Sequence, residues 1–333
     1  MYLLRQALST DLEALIRLAK LLDTINLPAD PEQMEGLLKT SHSAFAGSTE
    51  PDQAMFFVLE DSNGVVCGCS NVIAHHGSPE APHTYFDVIE EDRYSRDLER
   101  LFSHLVLRLG TSFHPRTEIG GLVLEPSHRG QGVASLLSRS RFQYIAAYRE
   151  RFCERILAEL LPPFDPDGSS PLWKSLGRRF TGLEYREADR LSINQKEFIE
   201  DLFPRGDIYV SLFDEATHRV IGAVGEKTKA VELMLRREGF RYQRRIDPFD
   251  GGPHYGAPTD RVRSVRLTRS CRALARASGN RSALVAALEP FRSVRTQVEL
   301  TGLQVCVPPE ALSRLEISEG QEVLVTPLEE NLS

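Results

Sequence analysis

The run Leu122-Val123-Leu124-Glu125-Pro126 leads within three residues into Arg129-Gly130-Gln131-Gly132-Val133-Ala134 and then into an apolar helical pattern. No other segment limits the fold as much. A strand that turns through glycines into a helix is the unit of a layered α/β domain. The first N–H groups of such a helix lack intrahelical partners, and its dipole places partial positive charge there. Gly130 and Gly132 let the backbone close on a ligand with no Cβ in the way. A pyrophosphate suits that environment, and Arg129 adds a charged donor. The loop is not a phosphate loop of the Lys-Ser/Thr kind, and it fails the third glycine of the dinucleotide fingerprint. The spacing R-x-x-G-x-A is carried by Arg129, Gly132 and Ala134. Leu122-Val123-Leu124, running straight into the loop, is placed to offer a backbone N–H to an oxyanion in acyl transfer from a thioester.

The rest of the chain sets limits. With 333 residues and 41% hydrophobic content it can bury a sizeable core, and its length favours about two domains. Forty basic residues against 47 acidic ones leave a net charge of −7, so no general attraction for nucleic acid or anionic membranes is expected. Neither a leader-like N-terminus nor an apolar run of the ~20 residues needed for a membrane span is present, and the cytoplasm is the expected place. The five cysteines include no C-x-x-C pair and read as reduced, buried thiols without metal.

Strand composition is clear at Tyr2–Arg5, at 54–61 and 65–73 as a hairpin, at 117–124, at 155–161 and over much of 298–327. Helical spacing follows the Ser9-Thr10-Asp11 cap, begins again at Glu32, and covers 133–148, where Arg139 and Arg141 read as solvating charges. Trp173, Leu176 and Phe180 suggest one short amphipathic helix. Residues 75–100 read as a polar loop rich in histidine, 219–224 as a strand before a helix, and 275–290 as helix or linker.

The glycine loop after L-E-P, together with the later helix ending in Gly239-Phe240, resembles the GNAT superfamily of N-acetyltransferases. Further blocks are similar to arginine N-succinyltransferases: Phe57–Asp61, Ser138–Phe142, Ser170–Phe180, Phe249–Pro253 and Asp260–Arg263. That resemblance spans about residues 2–266, and more weakly the tail. It implies an α/β (α+β) acyl-CoA N-acyltransferase fold, a mixed sheet flanked by helices with a small C-terminal β-barrel-like unit. The expected division is 1–270 for the acyltransferase domain and 271–333 for a linker helix and small β domain. The implied reaction moves a succinyl group from succinyl-CoA, or a related acyl-CoA, to the α-amine of arginine or a related amine. The resemblance implies a homo- or hetero-oligomer with a related subunit. Alternatives are a different amine acceptor, or a weakly active or inactive chain serving as a binding or regulatory subunit.

The resemblance places Leu122 at a succinyl-CoA contact, and the cofactor set is Leu122, Val123, Leu124, Arg129, Gly130, Gln131, Gly132, Val133 and Ala134. The family's histidine proton donor falls at Gly225, which has no side chain to give. His254, inside a family block, is the candidate replacement, because imidazole titrates near neutrality. His75 and His76 end a central strand, where alternation turns one of them toward the cleft. Glu159, a carboxylate within an apolar strand, and Asp250 are candidates for holding a cationic acceptor; for Glu159 a solvent-facing position is the competing reading.

Overall fold

The computed structural model describes residues 1–328 apart from 23–26, 49, 51, 80, 131, 193–196 and 277–278. Its strands are β1 (Leu3–Gln6), β2 (Ala54–Glu60), β3 (Val66–His76), β4 (His83–Ser95), β5 (Arg100–Ser112), β6 (Arg116–Leu124), β7 (Arg155–Glu159), β8 (Ile208–Tyr209), β9 (Arg241–Ile246), β10 (Pro253–Pro258), β11 (Arg269–Ala275), β12 (Arg281–Ala287), β13 (Arg292–Thr301), β14 (Gln304–Val307) and β15 (Glu322–Pro327). The helices that matter below are α1 (Leu12–Leu22), α2 (Pro31–Phe45), α3 (Val133–Ala147), α4 (Pro171–Ser175), α5 (Gly177–Thr181), α6 (Tyr185–Leu191), α7 (Glu197–Leu202), α8 (Glu215–Val220) and α9 (Lys229–Arg237).

Two compact units result. The first takes Met1–His75, Arg116–Ile156 and the chain from Pro258 onward; the second takes His76–Pro115 and Leu157–Ala257. In the first, strands run in the order β12-β15-β11-β14-β13-β1-β2-β3-β6, and a further β12–β13 pairing closes β11 to β15 into a five-stranded barrel. Its core of Val285, Val294, Val298, Val305 and Val323 is fully buried. Each such side chain contributes about 1.5–3 kcal/mol through burial. On the β1–β2–β3 side, α1 and α2 bury Leu15, Leu18, Met34 and Leu38 against Phe56 and Val58. The Asp11 carboxylate accepts the Leu8 N–H at 2.8 Å and pairs with Arg5 at 2.7 Å, which fixes the entry to α1. In the second unit the order is β10-β9-β4-β5-β8, with the end of β7 beside β10. Phe86, Leu107, Leu172, Trp173 and Phe203 form its core.

The molecule departs from its sequence pattern in five places. The loop expected over 75–100 is mostly strand: His83–Ser95 pairs with Arg100–Ser112 in a long hairpin, with His83 opposite Ser112 and Ser95 opposite Arg100. Phe86, Val88, Val106 and Leu107 are buried at its base, while charged residues crowd the other end and obscure the alternation. Residues 281–287 are strand β12, not helix. Alanine's helical preference is worth less than about 1 kcal/mol per residue, and pairing to β13 on one side and β15 on the other outweighs it. Residues 219–224 are no strand: Asp214 caps α8 by accepting the Thr217 N–H at 2.8 Å, and Gly222 turns the chain at φ +69°. The helix expected around Trp173 is two, broken at Leu176, and a Cβ on Gly177 would enter the Trp173 indole. Arg141 is not solvating; it is 2% exposed and donates to the carbonyls of Gly120 and Ser138. All five cysteines are free thiols, and burial pushes Cys67 and Cys69 up to about 12. No helix among the described residues is long and apolar enough to cross a membrane.

Candidate active site

The glycine loop lies in the first unit. β6 delivers it, and Gly121 within that strand has φ +56°; a Cβ there would meet the Asn71 amide at 2.7 Å. The Arg141 guanidinium reaches the Gly120 carbonyl at 3.2 Å, so the strand approaching the loop is braced from α3. Gly130 (φ +90°) and Gly132 (φ +72°) both occupy the left-handed region. Gly132 is the N-cap of the 15-residue α3, and its carbonyl accepts the Ser135 N–H at 3.1 Å. A Cβ on Gly130 would meet nothing within 4 Å, so open space lies above the loop. At Gly132 a Cβ would coincide with Nη1 of Arg295, which arrives from β13 of the barrel. That second cation was missed in the sequence, which gave no sign that residues 132 and 295 meet.

Arg129 is exposed, and its Nε donates to the Leu124 carbonyl at 3.4 Å. Leu122 and Ala134 are half-buried, whereas Val123, Leu124 and Val133 are buried. Gln131 lies outside the described residues. Open space, left-handed glycines, a helix N-terminus and two nearby guanidiniums make a fit for the phosphates of an acyl-CoA.

Apart from His75, which ends the first stretch of the first unit, the candidate acid–base and acceptor residues lie in the second unit. Gly225 is packed against backbone: a Cβ would stand 2.7 Å from the Pro162 oxygen and 3.0 Å from that of Leu161. The Gly225 N–H also donates to Leu161 at 2.9 Å. No side chain of any kind fits there without moving main chain. His254, on β10, is fully buried, and its Nε2 lies 3.5 Å from Oε1 of Glu159 at the end of β7. His83, at the start of β4, brings its Nε2 to 3.6 Å from the same oxygen. Its Nδ1 is 3.1 Å from Nε2 of His76 at the end of β3. Of the two histidines there, His76 is buried and His75 half-buried. The His83 ring also stacks on Tyr85, at 5.8 Å between centroids. His83 was hidden in the supposed loop, and the only available signal was that segment's histidine content.

Asp250 is buried in the turn that follows Asp247. Its Oδ1 accepts the Gly252 N–H at 2.7 Å, and Asp247 accepts those of Phe249 and Asp250. Burial first, then the charges of Asp247 and Asp189, hold the Asp250 carboxyl well above the usual range. Burial and Asp247 likewise push Asp189, on α6, up to about 7.

A family model described as arginine N-succinyltransferase beta subunit matches residues 2–264. The chain belongs to the arginine N-succinyltransferase family. It is 31% identical to an arginine N-succinyltransferase subunit beta of Pseudomonas aeruginosa, over 98% of each chain. It is 35% identical to an arginine N-succinyltransferase of Citrobacter koseri, over 81% of this chain and 79% of that one. The solved arginine/ornithine succinyltransferase subunit AI of Pseudomonas aeruginosa superposes with a TM-score of 0.85 at 29% identity, covering 99% of both chains. The expected α/β acyltransferase fold, with its closed C-terminal barrel, is therefore the family's fold. The chain is an N-acyltransferase, and its co-substrate is an acyl-CoA.

Proposed function

We propose that this chain transfers the succinyl group of succinyl-CoA to the α-amine of L-arginine, working as a subunit of an assembly with a related or identical chain. Membership of the arginine N-succinyltransferase family over nearly four-fifths of the chain is the observation that carries this reading. The glycine loop agrees with it. Gly130 and Gly132 present backbone N–H groups, and Arg129 and Arg295 present charge, to the pyrophosphate, while the Val133 N–H closes the loop onto the Gly130 carbonyl at 3.2 Å. Leu122 to Leu124 take the pantetheine side and direct an N–H toward the thioester oxygen. As the neutral amine attacks, the carbonyl oxygen gains charge that this N–H stabilises, the C–N bond forms, and the C–S bond breaks; the amine loses one proton to water and the departing thiolate takes one up, so that CoA leaves as the thiol.

On the acceptor side we assign the guanidinium to Asp250 and its neighbours. The charge of Asp247 raises the proton affinity of both Asp189 and Asp250, so the three carboxylates lie close together. A bound guanidinium would relieve that repulsion. Purified protein is mixed with succinyl-CoA and a panel of amino acids and polyamines, and thiol release is followed with mass analysis of the product. Arginine-dependent CoA release with N-succinylarginine as product is expected. CoA release that is indifferent to arginine, or faster with another amine, overturns the assignment. Asp250→Asn is expected to raise the KM for arginine while leaving that for succinyl-CoA unchanged.

A further inference from the structure

Four side chains from four separate segments converge in the second unit: His76, His83, Glu159 and His254. We infer that His76, His83 and Glu159 form a binding site for one divalent transition-metal ion, with His254 against the same carboxylate. One ligand-type atom from each of the first three lies within 4.8 Å of the other two. Metal–nitrogen and metal–oxygen bonds of about 2.0–2.2 Å in a tetrahedral site put neighbouring ligand atoms roughly 3.3–3.5 Å apart. The His83 Nε2–Glu159 Oε1 separation of 3.6 Å is close to that value, whereas His76 Nε2 lies 3.1 Å from the other His83 nitrogen, Nδ1; one ion takes a single nitrogen of His83, so a turn of one imidazole ring completes the set within the 4.8 Å span.

The chemistry of the donors selects the ion. Neutral imidazoles with one carboxylate favour zinc, cobalt or nickel over magnesium and calcium, which prefer oxygen. The site is built into the backbone as well. Gly77 takes φ +81°, and a Cβ on it would stand 2.8 Å from Cβ of His83, so glycine lets the turn press His83 onto His76. His76 and His83 are buried, while the Glu159 side chain is 26% exposed, which leaves solvent a way in at the carboxylate. The inference is independent of the proposed acyl transfer. It moves His254 and Glu159 from separate roles as proton carrier and acceptor contact into one cluster, and it departs from the expectation of no metal.

The test uses the full-length protein, stripped with a chelator and titrated with cobalt(II), read by visible d–d absorption and by metal analysis after gel filtration. About one cobalt per chain is expected, with the intense band of a low-coordinate N/O site, and zinc should displace it. His83→Gln and Glu159→Gln should abolish the band. His254→Asn, which removes a neighbour of the ligating carboxylate, should weaken binding by about 10- to 100-fold. His218→Ala, at an exposed histidine of the same unit, should leave binding unchanged. If a variant fails to fold, X-ray absorption on the wild-type zinc form decides instead, with nitrogen and oxygen scatterers at about 2.0–2.1 Å expected. No stoichiometric uptake, or undiminished uptake in folded His83→Gln and Glu159→Gln, overturns the site and leaves a hydrogen-bonded histidine cluster.

Discussion

The glycine loop and the histidine–carboxylate cluster are built in opposite ways. The loop is one contiguous stretch, Leu122 to Ala134, exposed at Arg129 and Gly130 and shaped by glycines whose dihedral angles are its function. The cluster draws on residues 76, 83, 159 and 254, and its histidines are buried. A contiguous site tolerates much change elsewhere in the fold. A dispersed site depends on every segment that carries a ligand, so damage to it registers as lost stability before it registers as lost chemistry.

That contrast can be broken by substitution. The largest effect is expected from Gly225→His, the replacement that restores the family's residue type. Its Cβ would collide with the main chain of Leu161 and Pro162, which cannot swing aside as a side chain can. A loss of about 3 kcal/mol or more is expected, seen as a fall in Tm, with no gain in turnover. A stable and more active Gly225→His protein would sink the steric account. Gly132→Ala comes next. The colliding atom is the end of the flexible Arg295 side chain, so the cost is mainly that of a left-handed alanine, about 1 kcal/mol. The KM for acyl-CoA should nonetheless rise, and a Tm loss without a KM change would count against the loop as the cofactor site.

A pH effect is expected outside both regions, at the buried carboxylates around Asp250. Asp189 is held near 7 in the folded protein and has a reference value of 3.8, so between these values the folded state binds more protons than the unfolded one. Its contribution therefore falls as pH rises through that window. Asp189→Asn should raise Tm at pH 8, with the gain vanishing by about pH 4. An equal gain at both pH values would contradict the burial cause. The smallest effect is expected from Arg295→Ala: stability within about 0.5 kcal/mol of the parent, and a modest rise in the KM for acyl-CoA that shrinks at high salt.

The same contrast explains what the sequence could disclose. Strand, glycines and helix lie in order along the chain from Leu122 to Ala147, so local pattern sufficed for the loop and for α3. His83 was out of reach because pairing with β5, not local composition, makes its segment a strand. β12 was misread because its alanines are strand only when neighbours on both sides supply hydrogen bonds. Arg141 looked like a surface charge because nothing nearby in sequence reveals the Gly120 carbonyl it serves. Gly225 was noticed as a missing side chain, while the reason no side chain fits lies some sixty residues earlier, at Leu161 and Pro162.

Arg295 ties the history of the tail to that of the loop. Its strand, β13, pairs with β1, β12 and β14, so the guanidinium beside Gly132 rests on hydrogen-bond ladders formed far from the loop in sequence. A truncated gene product could keep every residue from Leu122 to Ala134 and still lose a cation at the helix start. Selection on cofactor affinity therefore reaches the barrel, and the tail cannot drift as a detachable appendage would.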